Sequence, residues 1–183
     1  MKGGGGTPAL SRRWPPLTVT REALLASGSD ERFRALIDDL LVMAHQLQRL
    51  RLVLARGLGV SEPQYRLFLA IAQLEGRRGV SVGRVARQLR VSGAFATMET
   101  RELVRRGLVA KSPDPSDGRA VLLSLTAKGR SSFERFAPRP QRINDALFRD
   151  LSAAEFRTLG GLVRRLVANG ERALEIGRTM VEG

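Results

Sequence analysis

The chain's fold is decided between residues 103 and 129: Leu103-Val104-Arg105-Arg106-Gly107-Leu108-Val109-Ala110-Lys111-Ser112-Pro113-Asp114-Pro115-Ser116-Asp117-Gly118-Arg119-Ala120-Val121-Leu122-Leu123-Ser124-Leu125-Thr126-Ala127-Lys128-Gly129. The middle, residues 113–119, is dense in turn formers. Leu108 to Ser112 predicts a short strand on one side of it. On the other, Ala120 to Leu125 alternates, with Val121, Leu123 and Leu125 on one face. Gly107 closes the segment before the first strand, as glycine does at helix ends. A β-hairpin therefore follows directly on a helix.

Upstream of Gly107, Ser92 is placed to cap a helix from Gly93 to Arg106. Val91-Ser92-Gly93 is a tight turn. Before it, Ser81 caps a shorter helix, Val82 to Leu89, with Val85, Ala86 and Leu89 inward. Two helices joined by such a turn follow the helix-turn-helix plan. With the hairpin they make a winged helix. Further upstream, Ser61-Glu62-Pro63-Gln64 is a capping box, opening a helix to about Glu75 with Tyr65, Phe68, Leu69 and Ala72 inward. Gly76-Arg77-Arg78-Gly79 is a turn.

The flanks are helical too. From Asp30, Phe33, Ile37, Leu40, Ala44 and Leu47 recur at helical spacing, and Leu36, Met43, Leu50 and Leu54 widen the apolar surface. Gly57 and Gly59 end this helix. One this apolar needs cover on more than one side. After the hairpin, Thr126 starts a helix with Phe133 and Phe136 inward. Pro138 and Pro140 interrupt it, and Ile143, Leu147 and Phe148 resume the pattern. Ser152-Ala153-Ala154-Glu155 is a second capping box. It opens a last helix striped by Phe156, Leu159, Leu162, Val163, Leu166 and Val167. The expected fold is mainly α, an α+β winged helix. Residues 58–125 form the winged helix-turn-helix, and 31–57 with 126–177 form a helical dimerisation region. Residues 1–30 read as a flexible arm. Its Gly3 to Gly6 run suits a disordered tail, and Trp14 beside Arg12 and Arg13 would suit a partner subunit or DNA.

Composition narrows the function. The chain has 183 residues, 31 basic and 18 acidic, and a formal net charge of +13. Such a balance favours a polyanionic partner. Only Lys2, Lys111 and Lys128 are lysine, leaving 28 arginines. Arginine suits phosphate and guanine through its bidentate fork, although a coding bias toward arginine would give the same count. There are no cysteines and one histidine, His45. That excludes zinc-thiolate sites, disulfides and thiol redox sensing. No apolar run reaches the roughly 20 residues of a membrane span, and no secretory signal opens the chain. The expected location is cytoplasmic, with the nucleoid. No nucleophile motif, phosphate loop or metalloprotease motif is present. Asp38 and Asp39 are adjacent on a helix and point apart. No enzyme, metal or required cofactor is expected.

The two pieces around Gly107 and the wing resemble the MarR family of bacterial transcriptional regulators. They are Leu103 to Val109 and Asp114 to Gly129, with its Asp-Pro-x-Asp-x-Arg wing and Leu-Thr-x-x-Gly end. The resemblance spans about residues 31–176. It implies a homodimeric repressor that binds double-stranded DNA and is eased off its operator by a small molecule. It implies that Arg119 enters the minor groove, where negative potential is focused. Asp117 would hold that arginine or one on the recognition helix. Asp114 and Asp117 would otherwise make Asx turns and Arg119 a solvated tip.

The candidate DNA-binding residues follow from that frame. Ser92, Gly93, Ala94, Phe95, Thr97 and Met98 occupy the first turns of the recognition helix, with Arg101 one turn on. Phe95 or Met98 would serve equally as core. Glu99 and Thr100 fall where the family often has apolar residues. Arg84 and Arg87, with Arg77, Arg78 and Arg90, suit phosphate clamping or a solvated face. His45, Arg49, Tyr65 and Phe68 are the candidate ligand residues, suited to an aromatic acid or its acyl ester. The expected function is a ligand-responsive, sequence-specific regulator on a palindromic operator. The alternative is a non-specific architectural nucleic-acid binder.

Overall fold

The computed structural model describes residues 14–115 and 117–182, with side chains throughout except at 117–119 and 182. The chain forms two compact units that meet in sequence between Leu125 and Thr126.

The first unit opens with a 3-10 turn, Glu22–Leu24, and a bridge between Ala26 and Ser29. It continues as α1 (Glu31–Leu58), α2 (Glu62–Leu74), β1 (Val80–Ser81), α3 (Val82–Leu89), α4 (Gly93–Arg105), β2 (Val109–Asp114) and β3 (Asp117–Leu125). Asp30 precedes α1 but does not cap it with its side chain. Its buried carboxylate accepts from Thr18 N and Oγ1, both at 2.7 Å, and from Arg34 Nη1 at 2.6 Å. These bonds tie residue 18 to the start of α1. The backbone bond from Thr18 is the main cause holding the Asp30 carboxyl below its ordinary range, with the Thr18 hydroxyl and Arg34 adding to it. Gly59 ends α1 in the left-handed region, and Val60 N–H returns to the Ala55 carbonyl.

The core of this unit gathers around α2, which packs against α1, α3, α4 and β3. Leu67, Phe68 and Ile71 of α2, Val85 of α3, Leu103 of α4 and Leu123 of β3 are fully enclosed. The buried arc of α2 is not the predicted one: Leu67 and Ile71 are inside, while Leu69 and Ala72 are half-buried. Neighbours on several sides shift and widen the arc beyond a single stripe.

The sheet has three antiparallel strands in the order β1-β3-β2. β1 was not predicted, being only two residues long. It pairs Val80 with Leu123 and Ser81 with Leu122. The expected face of β3 is also corrected. Val121 is exposed, and Leu122 is buried beside Leu123 and Leu125. Gly79 explains it: a Cβ there would lie 3.1 Å from the Leu122 Cβ. The backbone before β1 thus covers Leu122, whereas Val121, opposite Pro113, lies beyond the reach of β1.

The second unit holds α5 (Ala127–Phe136), α6 (Pro138–Phe148) and α7 (Ala153–Glu182). Thr126 caps α5 through Gly129 N, and Ser152 and Glu155 form the capping box of α7. The proline break is a restart. Ala137 stays right-handed helical, and Pro138 takes the first position of α6, where a missing N–H costs nothing. Phe148 and Phe156 meet edge to face at 5.8 Å.

Candidate nucleic-acid interface

Serine hydroxyls set both helices of the helix-turn-helix. Ser81 accepts from Arg84 N, and Ser92 accepts from Phe95 N. Between them Arg90 ends α3 with φ 54°. α4 buries one face, Ala96, Thr100 and Leu103. Thr100 is accommodated there because its hydroxyl donates to the Ala96 carbonyl at 2.6 Å.

The opposite face is open. Ser92, Gly93, Ala94, Met98 and Arg101 are exposed, and Phe95 and Thr97 are half-buried. Positions 94, 98 and 101 fall at i, i+4 and i+7 and so form one stripe. Arg84 and Arg87 are exposed on α3, as are Arg77, Arg78 and Arg90 in the flanking turns. The wing pairs β2 with β3 from Val109↔Leu125 to Asp114↔Asp117, with an irregularity at Pro113/Asp114. Lys111, Ser112 and Pro113 on it are exposed. The side chains of Asp117 and Arg119 lie outside the described residues.

Several polar residues outside the predicted DNA-binding set brace α4. Glu102 accepts from Arg105 Nε and Nη2 and from Arg106 Nε, each at 2.7 Å. The Arg105 bond, with that of Arg106, holds the Glu102 carboxyl down to about 2. Arg106 also donates to the Gly59 carbonyl at the end of α1. Gln64 Nε2 donates to Glu99 Oε2 at 3.2 Å. The spacing of Glu102 to Arg105 and Arg106, three and four residues, is the one readable signal of this group.

The four candidate ligand residues do not converge. His45 and Arg49 are exposed on α1, one turn apart. Phe68 is fully buried and Tyr65 nearly so. Both fill the core and offer a ligand no surface, and burial pushes the Tyr65 phenol up. A cavity of about 600 Å³ lies instead in the second unit, lined by Asn144, Asp145, Phe148, Arg149 and Phe156. Among the described residues no group of three or more His, Cys, Asp or Glu side chains is placed to hold a metal. No described helix is long and apolar enough to cross a membrane.

Residues 58–120, from the end of α1 to the wing, match the family model described as MarR family. Over these residues the winged helix is similar to the MarR family. Solved structures agree across most of the chain. A mutant MarR from E. coli, complexed with operator DNA, is 25% identical, with 71% of this chain and 92% of that one covered at a TM-score of 0.60. The PcaV transcriptional regulator from Streptomyces coelicolor, in complex with its natural ligand, is 28% identical. It covers 69% of this chain and 89% of its own at a TM-score of 0.55. MepR of S. aureus, solved as a DNA complex, is 16% identical and similar in fold alone, with a TM-score of 0.61 over 71% of this chain and 93% of that one. No curated protein sequence matches this chain.

Proposed function

We propose that this chain is a MarR-type, sequence-specific DNA-binding transcriptional regulator, a repressor acting as a homodimer on a palindromic operator. It works in the cytoplasm on chromosomal DNA and binds rather than catalyses. The observation that carries the reading is the open face of α4. Ala94, Met98 and Arg101 stand clear of the core, with Thr97 half-buried on the same helix, and Arg84 and Arg87 are exposed on α3. Such a helix fits the major groove, its arginine reaching guanine or phosphate and its small apolar groups reaching a thymine methyl. The α3 arginines supply phosphate contacts that hold register.

The homodimer is supported by the long helices. α1 leaves Leu36, Leu40, Met43 and Leu47 exposed at helical spacing, and no residue from Ala153 to Val181 of α7 is buried. Apolar faces of this extent call for cover. Two-fold symmetry then implies half-sites about one helical turn apart. For effector response, His45 and Arg49 form an exposed basic pair suited to a carboxylate, as in an aromatic acid. That a similar protein, PcaV, was solved with a natural ligand supports this part.

The test is a polarisation titration on DNA from upstream of the protein's own coding sequence and on a scrambled duplex at the same salt. Tighter binding to the upstream duplex is expected. Equal affinity would overturn the sequence-specific reading and favour the architectural one. That alternative has one observation behind it: Gly93, Ala94 and Met98 give the open face few hydrogen-bonding groups. For the effector, thermal stabilisation across a panel of aromatic acids should be lost in His45→Ala with Arg49→Ala.

A further inference from the structure

We propose that the corner between α1 and α2, residues 59–64, is the seat that positions the recognition helix, with Gln64, Glu99 and Arg106 as its positioning residues. This rests on the reading of α4 as the recognition helix. Two polar ties run from α4 and its C-cap to this corner. Glu99 receives Gln64 Nε2, and Arg106 donates to the Gly59 carbonyl. Glu99 and Arg106 are seven residues apart, two turns or about 10 Å along the helix. Both ties nevertheless land on one short corner. Two separated points on one support fix the direction of a rod, and one point does not.

Each tie is built for more than local stability. The Gln64 amide does two jobs at once. Its Oε1 accepts from Ser61 N at 3.1 Å, completing the capping box, while its Nε2 reaches across to α4. It is buried, so the amide is held where both bonds are met. The Gly59 carbonyl lies at the C-terminal end of α1, the negative end of the helix dipole, which favours a guanidinium. Glu102 holds that guanidinium from the side of α4.

The corner also reaches the other helices. Glu62 faces Arg51 of α1 at 3.5 Å and Arg66 at 3.9 Å, and Arg66 Nη2 donates to the Leu89 carbonyl of α3 at 3.1 Å. α1 carries the exposed apolar face assigned to subunit contact. A shift of α1 at that contact would therefore reach α4 through residues 59–64.

A capping role alone predicts something different, and one substitution separates the two. Gln64→Glu keeps a capping-box acceptor but sets a carboxylate against Glu99. Gln64→Glu with Glu99→Gln restores the hydrogen bond with its polarity reversed. The chain has no cysteine, so Arg56→Cys on α1 and Met98→Cys on α4, both at exposed positions, carry spin labels cleanly. Pulsed EPR on the labelled chain, diluted with unlabelled chain, reads the α1 to α4 distance without DNA. A narrow distribution is expected in the parent, a broadened or shifted one in Gln64→Glu and in Arg106→Ala, and a return to the parent in the double exchange. An unchanged distribution in Gln64→Glu, or no return in the double exchange, overturns the proposal. Arg106 is surface-exposed, so its variant reports even if the buried Gln64 variant misfolds, and an unchanged distribution there also overturns it.

On DNA, the ratio of affinities for the upstream and scrambled duplexes should fall about tenfold in Gln64→Glu, the scale of one lost base contact, and recover in the double exchange. A ratio that stays at the parent's value in Gln64→Glu counts against the proposal. If the parent itself does not discriminate the duplexes, the functional reading fails, while the distance measurement still judges the corner.

Discussion

Glu102 shows how much of α4 is settled one side chain at a time. Two arginines converge on it, and its carboxyl sits at about 2 in the folded chain against an ordinary 4.5. Between those values the unfolded chain binds the proton that the folded chain refuses, so stability rises with pH there. The contribution is full above about 4.5 and is lost as pH falls toward about 2. Glu102→Gln should therefore lower the urea midpoint at neutral pH, and the gap from the parent should close as pH falls through that window. A gap that stays constant down to pH 2 would show that Arg105 and Arg106 do not act through the Glu102 charge. The residue scale was also where the sequence read best. The caps at Ser61, Ser81, Ser92, Thr126 and Ser152 are local, each needing only residues three positions away. Gln64 with Glu99, and Arg106 with Gly59, were not readable, because their partners are 35 and 47 residues distant in sequence.

Elements were legible in proportion to their length. The helices and the hairpin announce themselves by periodicity and turn chemistry, and their order is the one expected. β1 has two residues and no period to show, yet it completes the sheet and covers β3. Its approach depends on Gly79, which has φ 95° and whose Cβ would lie 3.0 Å from the Leu123 carbonyl. Alanine there meets both a disfavoured backbone region and a clash with backbone that cannot turn away. Gly79→Ala should cost about 1–3 kcal/mol of unfolding free energy in urea titration. A neutral result would mean that the β1 to β3 pairing gives way without loss. The buried arc of α2 shows the other limit: a helix touched by several neighbours has no single stripe to read.

For the whole molecule, apolar surface and charge make separate predictions. Leu36, Leu40, Met43 and Leu47 on α1, and Leu162, Leu166 and Leu174 on α7, are exposed. Periodicity revealed that excess, but not the identity of what covers it, because a second copy leaves no trace in one copy's sequence. If the covering partner is a second copy, the protein sediments at twice its 20.1 kDa chain mass. Leu36→Glu with Met43→Glu, two charges on one stripe, should then shift it toward the single-chain mass by analytical ultracentrifugation. Retention of the parent's mass would remove this face from the interface.

The +13 charge is too diffuse to mark a site. Arginines occur along α1 and α7 as well as around the winged helix, and only position separates clamps from solvated charge. Salt dependence tells them apart. Each phosphate neutralised releases counterions and steepens the fall of log affinity with log salt by about 0.9. Arg84 is exposed near the start of α3, the first helix of the helix-turn-helix. In a homodimer Arg84→Ala removes two such contacts, so the slope should become shallower by about 1.8. Affinity for the upstream and scrambled duplexes should drop by the same factor, because a phosphate contact carries no sequence information. Arg101 on the open stripe should behave differently if it reads a base. Arg101→Ala should then cost affinity mainly on the upstream duplex and narrow its advantage over the scrambled one. Equal losses on both duplexes would place Arg101 among the clamps and leave base reading to Thr97 and the apolar side chains beside it.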